Sequence, residues 1–266
     1  MAIMSAFTLI PFAWPLLSAI GKKQPTVSGL YLYWPAGWTL ANFQKAISPE
    51  KGDALRALVN SLLTSTCAVA LTVVACAFAG YALSRMQFRG KRPLLYGILL
   101  LQVIPYTAIV LPLYLLLRDL RLVNNLVGVT LGMAASQVPF VTWVMKGFFD
   151  DVPKELEEAA WLDGAGRTQT LAYVILPLAL PGVGAASVLA FNACWGQFFM
   201  PMILLSDAKK FILPLALFRA LIGYTAMDYG MMNAMAVIYM MPSLVFFLVA
   251  RKYLIRGAMA GAMAGQ

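Results

Sequence analysis

The chain has eleven acidic residues in all, and six of them crowd into one short stretch, DDVPKELEEAAWLDGAG at 150–166. Clustered carboxylates can hold a metal, trade protons as an acid–base pair, or present charge to another macromolecule. The first two uses need company that is missing. There is no histidine anywhere, which excludes a histidine metal site, a histidine proton relay and a Ser-His-Asp triad. Cys67, Cys76 and Cys194 stand singly inside apolar runs, the pattern of small core residues and not of a disulfide or zinc framework. No phosphate-cradling GxxxxGK[ST] loop occurs. Two readings stay open for the acidic cluster: caps for a short solvated helix, or charge presented to another molecule.

A second set of polar groups lies within apolar segments: Asn60, Ser61, Gln102, Ser136, Gln137, Asn192 and Gln197, with Tyr106, Trp143 and Trp195 near them. Amides in hydrocarbon must meet another helix, a water-filled cavity or a solute. Amides and aromatic faces together suit the path of a neutral, hydroxyl-rich solute, and we take Tyr106, Gln137, Asn192, Trp195 and Gln197 as candidate pathway residues. No charged residue occurs between Arg167 and Asp207. A carrier driven by protons or sodium keeps a titratable group at membrane depth. If this chain moves a solute uphill, the energy enters from outside it.

The elements that position these groups follow from composition. The chain is 61% hydrophobic and 12% charged, with a mean hydropathy of +0.78. That composition belongs to an all-α polytopic membrane protein; a β-barrel would show short segments of alternating polarity instead. Apolar runs long enough to cross the bilayer predict six spans at about 4–20, 59–83, 94–117, 126–145, 182–205 and 231–250, in a single membrane domain over 1–266. Residues 1–20 have no charged n-region before Lys22 and Lys23, so they read as a membrane segment, short and interrupted by Pro11 and Pro15, and not as a signal peptide. Phe211–Ile222 is too short to cross and reads as an interfacial or re-entrant helix. Pro105, Pro112, Pro139, Pro201 and Pro242 lie inside spans and invite bends. The aromatic YLYWPAGWTLANF stretch marks a membrane–water boundary.

The net charge of +9 is membrane-flanking and does not imply nucleic acid. Raw counts of Lys and Arg tie between the two sides. The dense cluster in the short loop SRMQFRGKRP favours placing that side in the cytoplasm.

The acidic stretch predicts a helix over about 153–163. Asp150 and Asp151 stand where free amides want caps, Pro153 suits a first turn, and Gly164 suits a left-handed terminating position. Val152, Leu156, Ala159 or Ala160, and Asp163 fall near one face, and the central alanines would let another surface approach closely. A solvated connector whose acids merely cap it is the plain alternative.

The run EEAAWLDGAGRTQTLAYVILPLALPG resembles the EAA loop of permease subunits of binding-protein-dependent ABC importers. The family pattern is met by Glu158, Ala159, Ala160, Gly164, Val174, Leu176 and Pro177. Asp163 and PLALPG resemble the carbohydrate-uptake, maltose-type branch, and QVIPYTAIVLPLYLLLRDLRLVNN and TLIPFAWPLLSAIGKK extend the similarity over nearly the whole chain.

The resemblance implies an ABC importer type I permease fold of the smaller type, six transmembrane helices with a cytoplasmic coupling helix between spans 4 and 5, in the plasma membrane of a prokaryote with a cytoplasmic C-terminus. Its partners would be a second permease subunit, two ATP-binding subunits and an extracytoplasmic solute-binding protein. ATP and Mg would belong to the ATPase partners and no cofactor to this chain, which is then not itself an enzyme. Coupling to the ATPase would fall to Glu158, Ala159, Ala160, Asp163 and Gly164. The expected cargo is a sugar, a di- or oligosaccharide, with a polyol or glycerol-phosphate type solute as the alternative and a self-sufficient secondary carrier below both. Two departures stand out. Trp195-Gly196-Gln197 lacks the acid that commonly follows W-N in the family's fifth span, and the tail RGAMAGAMAGQ lacks its usual Thr and terminal Lys-Gly.

Overall fold

A computed structural model of the chain describes residues 12–22, 35, 37–222 and 228–263, with side chains up to 248. Twelve helical elements follow in order: α1 (12–20), α2 (Ala41–Ile47), α3 (Ala54–Arg85), α4 (Lys91–Leu101), α5 (Tyr106–Asp119), α6 (Leu126–Asp150), α7 (Glu155–Leu162), α8 (Arg167–Leu178), α9 (Leu180–Trp195), α10 (Phe199–Leu204), α11 (Leu213–Ile222) and α12 (Tyr229–Met263). Among the described residues there is no β-strand, only one isolated bridge between Gly21 and Trp38.

Among the described residues, three helices are long and apolar enough to cross a membrane: α3, α6 and Tyr229–Leu248 of α12. They coincide with three of the expected spans. The expected span 94–117 is two helices, α4 and α5, meeting at 102°, because Pro105 at the start of α5 has no amide to continue the ladder. The expected span 182–205 is also reshaped. Its main helix is α9, preceded by α8 at 81° and separated from the short α10 by a break at 196–198. With each bent pair taken as one crossing there are five; of the expected first span, residues 4–11 lie outside the described residues. Pro112, Pro139 and Pro242, expected to bend their spans, sit inside helices that continue past them.

The chain divides into two compact units. The first comprises residues 1–63 and 201–244. Its core is small and aliphatic, built around Ala46, Ala54, Ala57, Leu213, Ala234 and Met235. Two of the polar groups within apolar segments hold the fold together here. Asn60 donates to the carbonyls of Lys209 (3.1 Å) and Phe211 (3.0 Å), and the Ser61 hydroxyl accepts from the Leu213 amide (2.7 Å). They secure the loop that leads into α11, a short apolar helix as expected. Lys45 pairs with Asp228 at 2.7 Å. Burial alone would push the Asp228 carboxyl up, but Lys45 and the amides of Gly230 and Met231 outweigh it and hold the carboxyl below its ordinary value.

The second unit comprises 64–200 and 245–266. Its core joins Cys76 and Tyr81 of α3, Val141, Met145 and Phe149 of α6, Ile175 of α8 and Ala186 and Ala190 of α9. Polar contacts lock α3 to α6: Thr72 donates to the Ala134 carbonyl (3.1 Å), and Thr142 donates to the Cys76 thiol (3.2 Å). Such bonds strengthen helix pairing where apolar burial drives little. Cys76 and Cys194 are buried as expected, whereas Cys67 is exposed on α3. Where α9 crosses α6, Gly182 lies against the Phe148 ring so closely that a Cβ would sit 2.0 Å from Cγ.

Two predictions follow from these contacts. Gly182→Ala should destabilise the purified protein by about 1–3 kcal/mol through overpacking, read as a lower melting temperature in detergent. Gly147→Ala, with nothing within 4 Å of its Cβ, should leave the melt unchanged. The Lys45–Asp228 pair should stabilise fully above the ordinary carboxylate value of 3.8 and lose its contribution as pH falls through the lowered one. The melting difference between wild type and Asp228→Asn should therefore shrink on acidification, and a difference that grew would contradict the assigned direction.

Candidate functional site

α7 begins and ends differently from the sequence expectation. Asp150 closes α6 and does not cap α7: it accepts from Ser84 Oγ (2.5 Å) and pairs with Lys146. Lys154 occupies the N-cap with no side-chain cap bond. Glu155, Glu157 and Glu158 fill the first turn, where carboxylates favour the positive end of the helix dipole. At the other end Gly164 has φ +87. Its amide bonds the Trp161 carbonyl (3.0 Å), and the Ala165 amide bonds that of Ala160 (2.9 Å). That pair of bonds is the Schellman arrangement, which needs a left-handed residue at that point.

One carboxylate in the cluster behaves unlike the rest. Glu157 is buried, its side chain 3% exposed, and it pairs with Arg85, whose side chain is 7% exposed. Tyr81 donates to the second oxygen of Glu157 (3.2 Å), and the Arg85 guanidinium also donates to the Val152 carbonyl (2.5 Å). Tyr81 in turn stands edge-on to Phe149 at 6.5 Å. The end of α3 therefore grips the link and the first turn of α7 at two separate points.

The opposite side of α7 is left bare. Glu158, Ala159, Asp163 and Gly164 are exposed and Ala160 is half-buried. With them are three apolar side chains, Leu156, Trp161 and Leu162, the last 89% exposed. The face expected from spacing is split: Val152 turns inward, while Leu156 turns outward. Sequence reading missed Glu157 and Arg85. Their signal was a carboxylate one residue before the EAA triplet and an arginine at the end of a long apolar run.

The pathway candidates divide. Tyr106 lies beside Cys194 and Gln197, and its buried hydroxyl makes no hydrogen bond of normal geometry. With Gln102 and Ser136 it lines a cavity of about 440 Å³ beside the break between α4 and α5, walled otherwise by Ile109, Leu113, Pro139 and Phe140. Gln137 is half-buried, donates to Ser136 Oγ (3.3 Å) and is not in that wall. Asn192 is exposed and Gln197 half-buried. Trp195 is 2% exposed and stacked on Phe191 at 5.8 Å, so its ring is packed in the core and presents no face to a cavity. Among the described residues no group of acidic, histidine or cysteine side chains could hold a metal.

The Arg85–Glu157 pair makes a direct prediction. Arg85→Met alone should destabilise by about 3–5 kcal/mol, because it strands a buried carboxylate. Adding Glu157→Leu should recover much of that loss. A double-mutant cycle by denaturant or thermal unfolding in detergent reads the coupling; additive single effects would contradict the buried pair.

Comparison with known proteins places this geometry. Residues 72–258 match the family model described as "Binding-protein-dependent transport system inner membrane component". A diacetylchitobiose uptake system permease of Streptomyces coelicolor is 30% identical, covering 97% of this chain and 92% of its own. A trehalose/maltose transport system permease of Thermococcus litoralis is 29% identical, covering 99% and 94%. A galactooligosaccharides transport system permease of Bacillus subtilis is 26% identical, covering 100% and 93%. In structure, a chain of a bacterial ABC transporter involved in import of the acidic polysaccharide alginate superposes with a TM-score of 0.82 over 95% of this chain and 92% of that one, at 22% identity, which gives the fold. With the acidic turn, its left-handed glycine and the Leu-Pro run all inside the matched segment, the chain belongs to the family of inner-membrane permease components of binding-protein-dependent ABC transport systems.

Proposed function

We propose that this chain is one of two membrane-spanning subunits of an ATP-driven importer for a di- or oligosaccharide, and that the bare side of α7 seats in an ATPase partner on the cytoplasmic side. The observation that carries the reading is the contrast across α7. One side is fastened by a buried ion pair, and the other leaves Leu156, Trp161 and Leu162 uncovered beside Glu158 and Asp163. Apolar groups on an eight-residue helix outside the membrane favour a partner surface, and the acidic rim suits basic residues on it.

In this reading Glu158, Ala159, Ala160, Asp163 and Gly164 couple the chain to the ATPase. ATP and Mg²⁺ belong to the partner subunits, and their closure pushes α7 and shifts a second permease and this one between inward-facing and outward-facing states. The C-terminus, by the same topology, is cytoplasmic. An extracytoplasmic solute-binding protein delivers the cargo. The first unit carries a charged cavity of about 670 Å³ lined by Glu50, Lys51, Asp53, Arg56, Lys209 and Arg219 among others.

Relatives named for uptake of diacetylchitobiose, trehalose/maltose and galactooligosaccharides support a sugar as the solute. The lining of the second unit's cavity supports it independently. Tyr106, Gln102 and Ser136 offer neutral donors and acceptors for hydroxyls. A glycerol-phosphate type solute calls for a fixed cation, and this lining has none. Asn192, Gln197 and Gln137 remain proposed contributors to the path; Trp195 acts from behind, through Phe191.

The test is at Gly164. Gly164→Asn, which tolerates a left-handed backbone, should fold with a near-normal melt yet lower solute uptake by the reconstituted complex. Gly164→Glu should abolish uptake, through loss of ATPase assembly or through hydrolysis no longer stimulated by binding protein and sugar. Full uptake by Gly164→Glu would sink the proposal.

A further inference from the structure

The unit that carries α7 also holds a polar cavity. It has a volume of about 570 Å³ and lies where α3 hands over to α4, lined by Gln87, Phe88, Lys91, Arg92, Leu95 and Lys146 among others. The charges around it are strongly one-sided. Lys91, Arg92 and Lys146 line it and Arg89 adjoins it in the chain. The one carboxylate bonded to any of them is Asp150, paired with Lys146.

The cations do different jobs. Lys91 is spent on the fold: its ammonium donates to the carbonyls of Ser84 (3.2 Å) and Met86 (3.1 Å), closing the turn. Lys146 is neutralised by Asp150. Arg89 and Arg92 are exposed and have no hydrogen-bond or ion-pair partner among the described residues. Arg92 in the lining and Arg89 beside it in the chain thus offer two guanidinium forks, each able to bind a phosphate through two parallel bonds, while Asp150 is taken up by Lys146.

Position selects the ligand. The apolar run of α3 ends at Arg85, that of α6 at Lys146, and α4 begins at Lys91 before turning wholly apolar. Cations flush with the ends of apolar helices mark the membrane–water boundary. Beside the cavity, Phe88, Leu94 and Tyr96 are exposed at 44%, 48% and 65%. An acidic protein loop would need only the charges. A phosphate headed by cations and trailed by apolar surface is the chemistry of a phospholipid, and basic pockets between helices on the cytoplasmic side take such headgroups. We infer that the cavity at the α3–α4 turn binds a phosphate-bearing anion, the headgroup of an acidic phospholipid of the cytoplasmic leaflet, with Arg92 and Arg89 as its principal ligands.

This inference rests on the proposed function only in taking the α7 end of the unit as cytoplasmic. Its readout is lipid retention, which needs no transport and survives failure of the Gly164 test. The intact complex would be placed in nanodiscs of phosphatidylcholine with or without phosphatidylglycerol, with bound lipid read by native mass spectrometry and stability by thermal melt. Wild type should retain phosphatidylglycerol and melt higher in its presence. Arg89→Gln with Arg92→Gln, which breaks no internal bond, should cut retention about tenfold and remove the shift, while Arg121→Gln changes neither. If inorganic phosphate or glycerol 1-phosphate raises the melt in phosphatidylcholine alone and displaces phosphatidylglycerol, the anion site stands and its source is soluble. Equal retention by the double variant and wild type, with no effect of phosphate, overturns the inference. So does loss of the ATPase subunits from the double variant with phosphatidylglycerol still bound, which would make the patch a protein contact.

Discussion

The ion pair between Arg85 and Glu157 is the constraint on which the rest of the docking geometry depends. Taking both charges out of water is costly, and an apolar pair of similar size would often give a protein at least as stable. What an apolar pair would not supply is orientation. Arg85 reaches Glu157 with one nitrogen and the Val152 carbonyl with another, while Tyr81 takes the second carboxylate oxygen. Three directional contacts fix both the position of α7 and its rotation about its own axis. A helix of eight residues has little stability of its own, so this tether is what makes it a rigid projection. In the proposed reading, rigidity is the property required: a projection hinged at its base would absorb a partner's displacement without moving the bundle.

The route from α7 back into the bundle is equally determined by missing hydrogen bonds. Pro177 and Pro181 each lack the amide that would continue the ladder, so the carbonyls of Tyr173 and Pro177 lose their usual partners. Bonds from Ala179 to Ile175 (2.8 Å) and from Val183 to Ala179 (2.9 Å) bridge the gap, and a π-helical turn over Leu171–Ile175 lies just before it. The outcome is an 81° bend, with Leu171 and Ile175 sealed into the core beneath it. The Leu-Pro run that carries the family resemblance is therefore a corner, and Gly182 is the point past the corner where α9 can lie flush on Phe148.

Much of this was legible in the sequence, for identifiable reasons. Long apolar runs have one physical outcome in a bilayer, so the runs read at 59–83, 126–145 and 231–250 fall within α3, α6 and α12. Gly164 was legible because a left-handed terminator strongly favours glycine. Elsewhere hydropathy misled: it averages over a proline break, so 94–117 and 182–205 looked continuous when each is broken. Spacing likewise left Glu157 off the face it assigned, because periodicity reports which residues share a face and says nothing about an arginine 72 residues upstream. Trp195 failed for a related reason. An aromatic beside amides suits a sugar path and a helix core equally, and only its stacking on Phe191 decides between them.

α6 connects the two candidate sites within one compact unit. Its C-terminal end holds Phe149 and Asp150, bound to α3 beside the tether, while Ser136, Pro139 and Phe140 of the same helix wall the cavity that Tyr106 and Gln102 complete. From Pro139 to Asp150 is roughly 16 Å at the α-helical rise. Thr142 bonds α6 to α3 within that length and Thr72 bonds the Ala134 carbonyl just before it, so directional contacts hold the two helices together. In the proposed reading, a push on α7 would reach the cavity wall through this strut, with no chain of side-chain rearrangements required. The neutrality of that wall then has a mechanical meaning. A charged ligand-binding group would hold the solute in both states and oppose release, whereas hydroxyls and amides exchange readily with water. In the proposed reading, a path driven by shape change works best when its contacts are numerous, weak and uncharged, and the cavity that Tyr106, Gln102 and Ser136 line has no charged side chain in its wall.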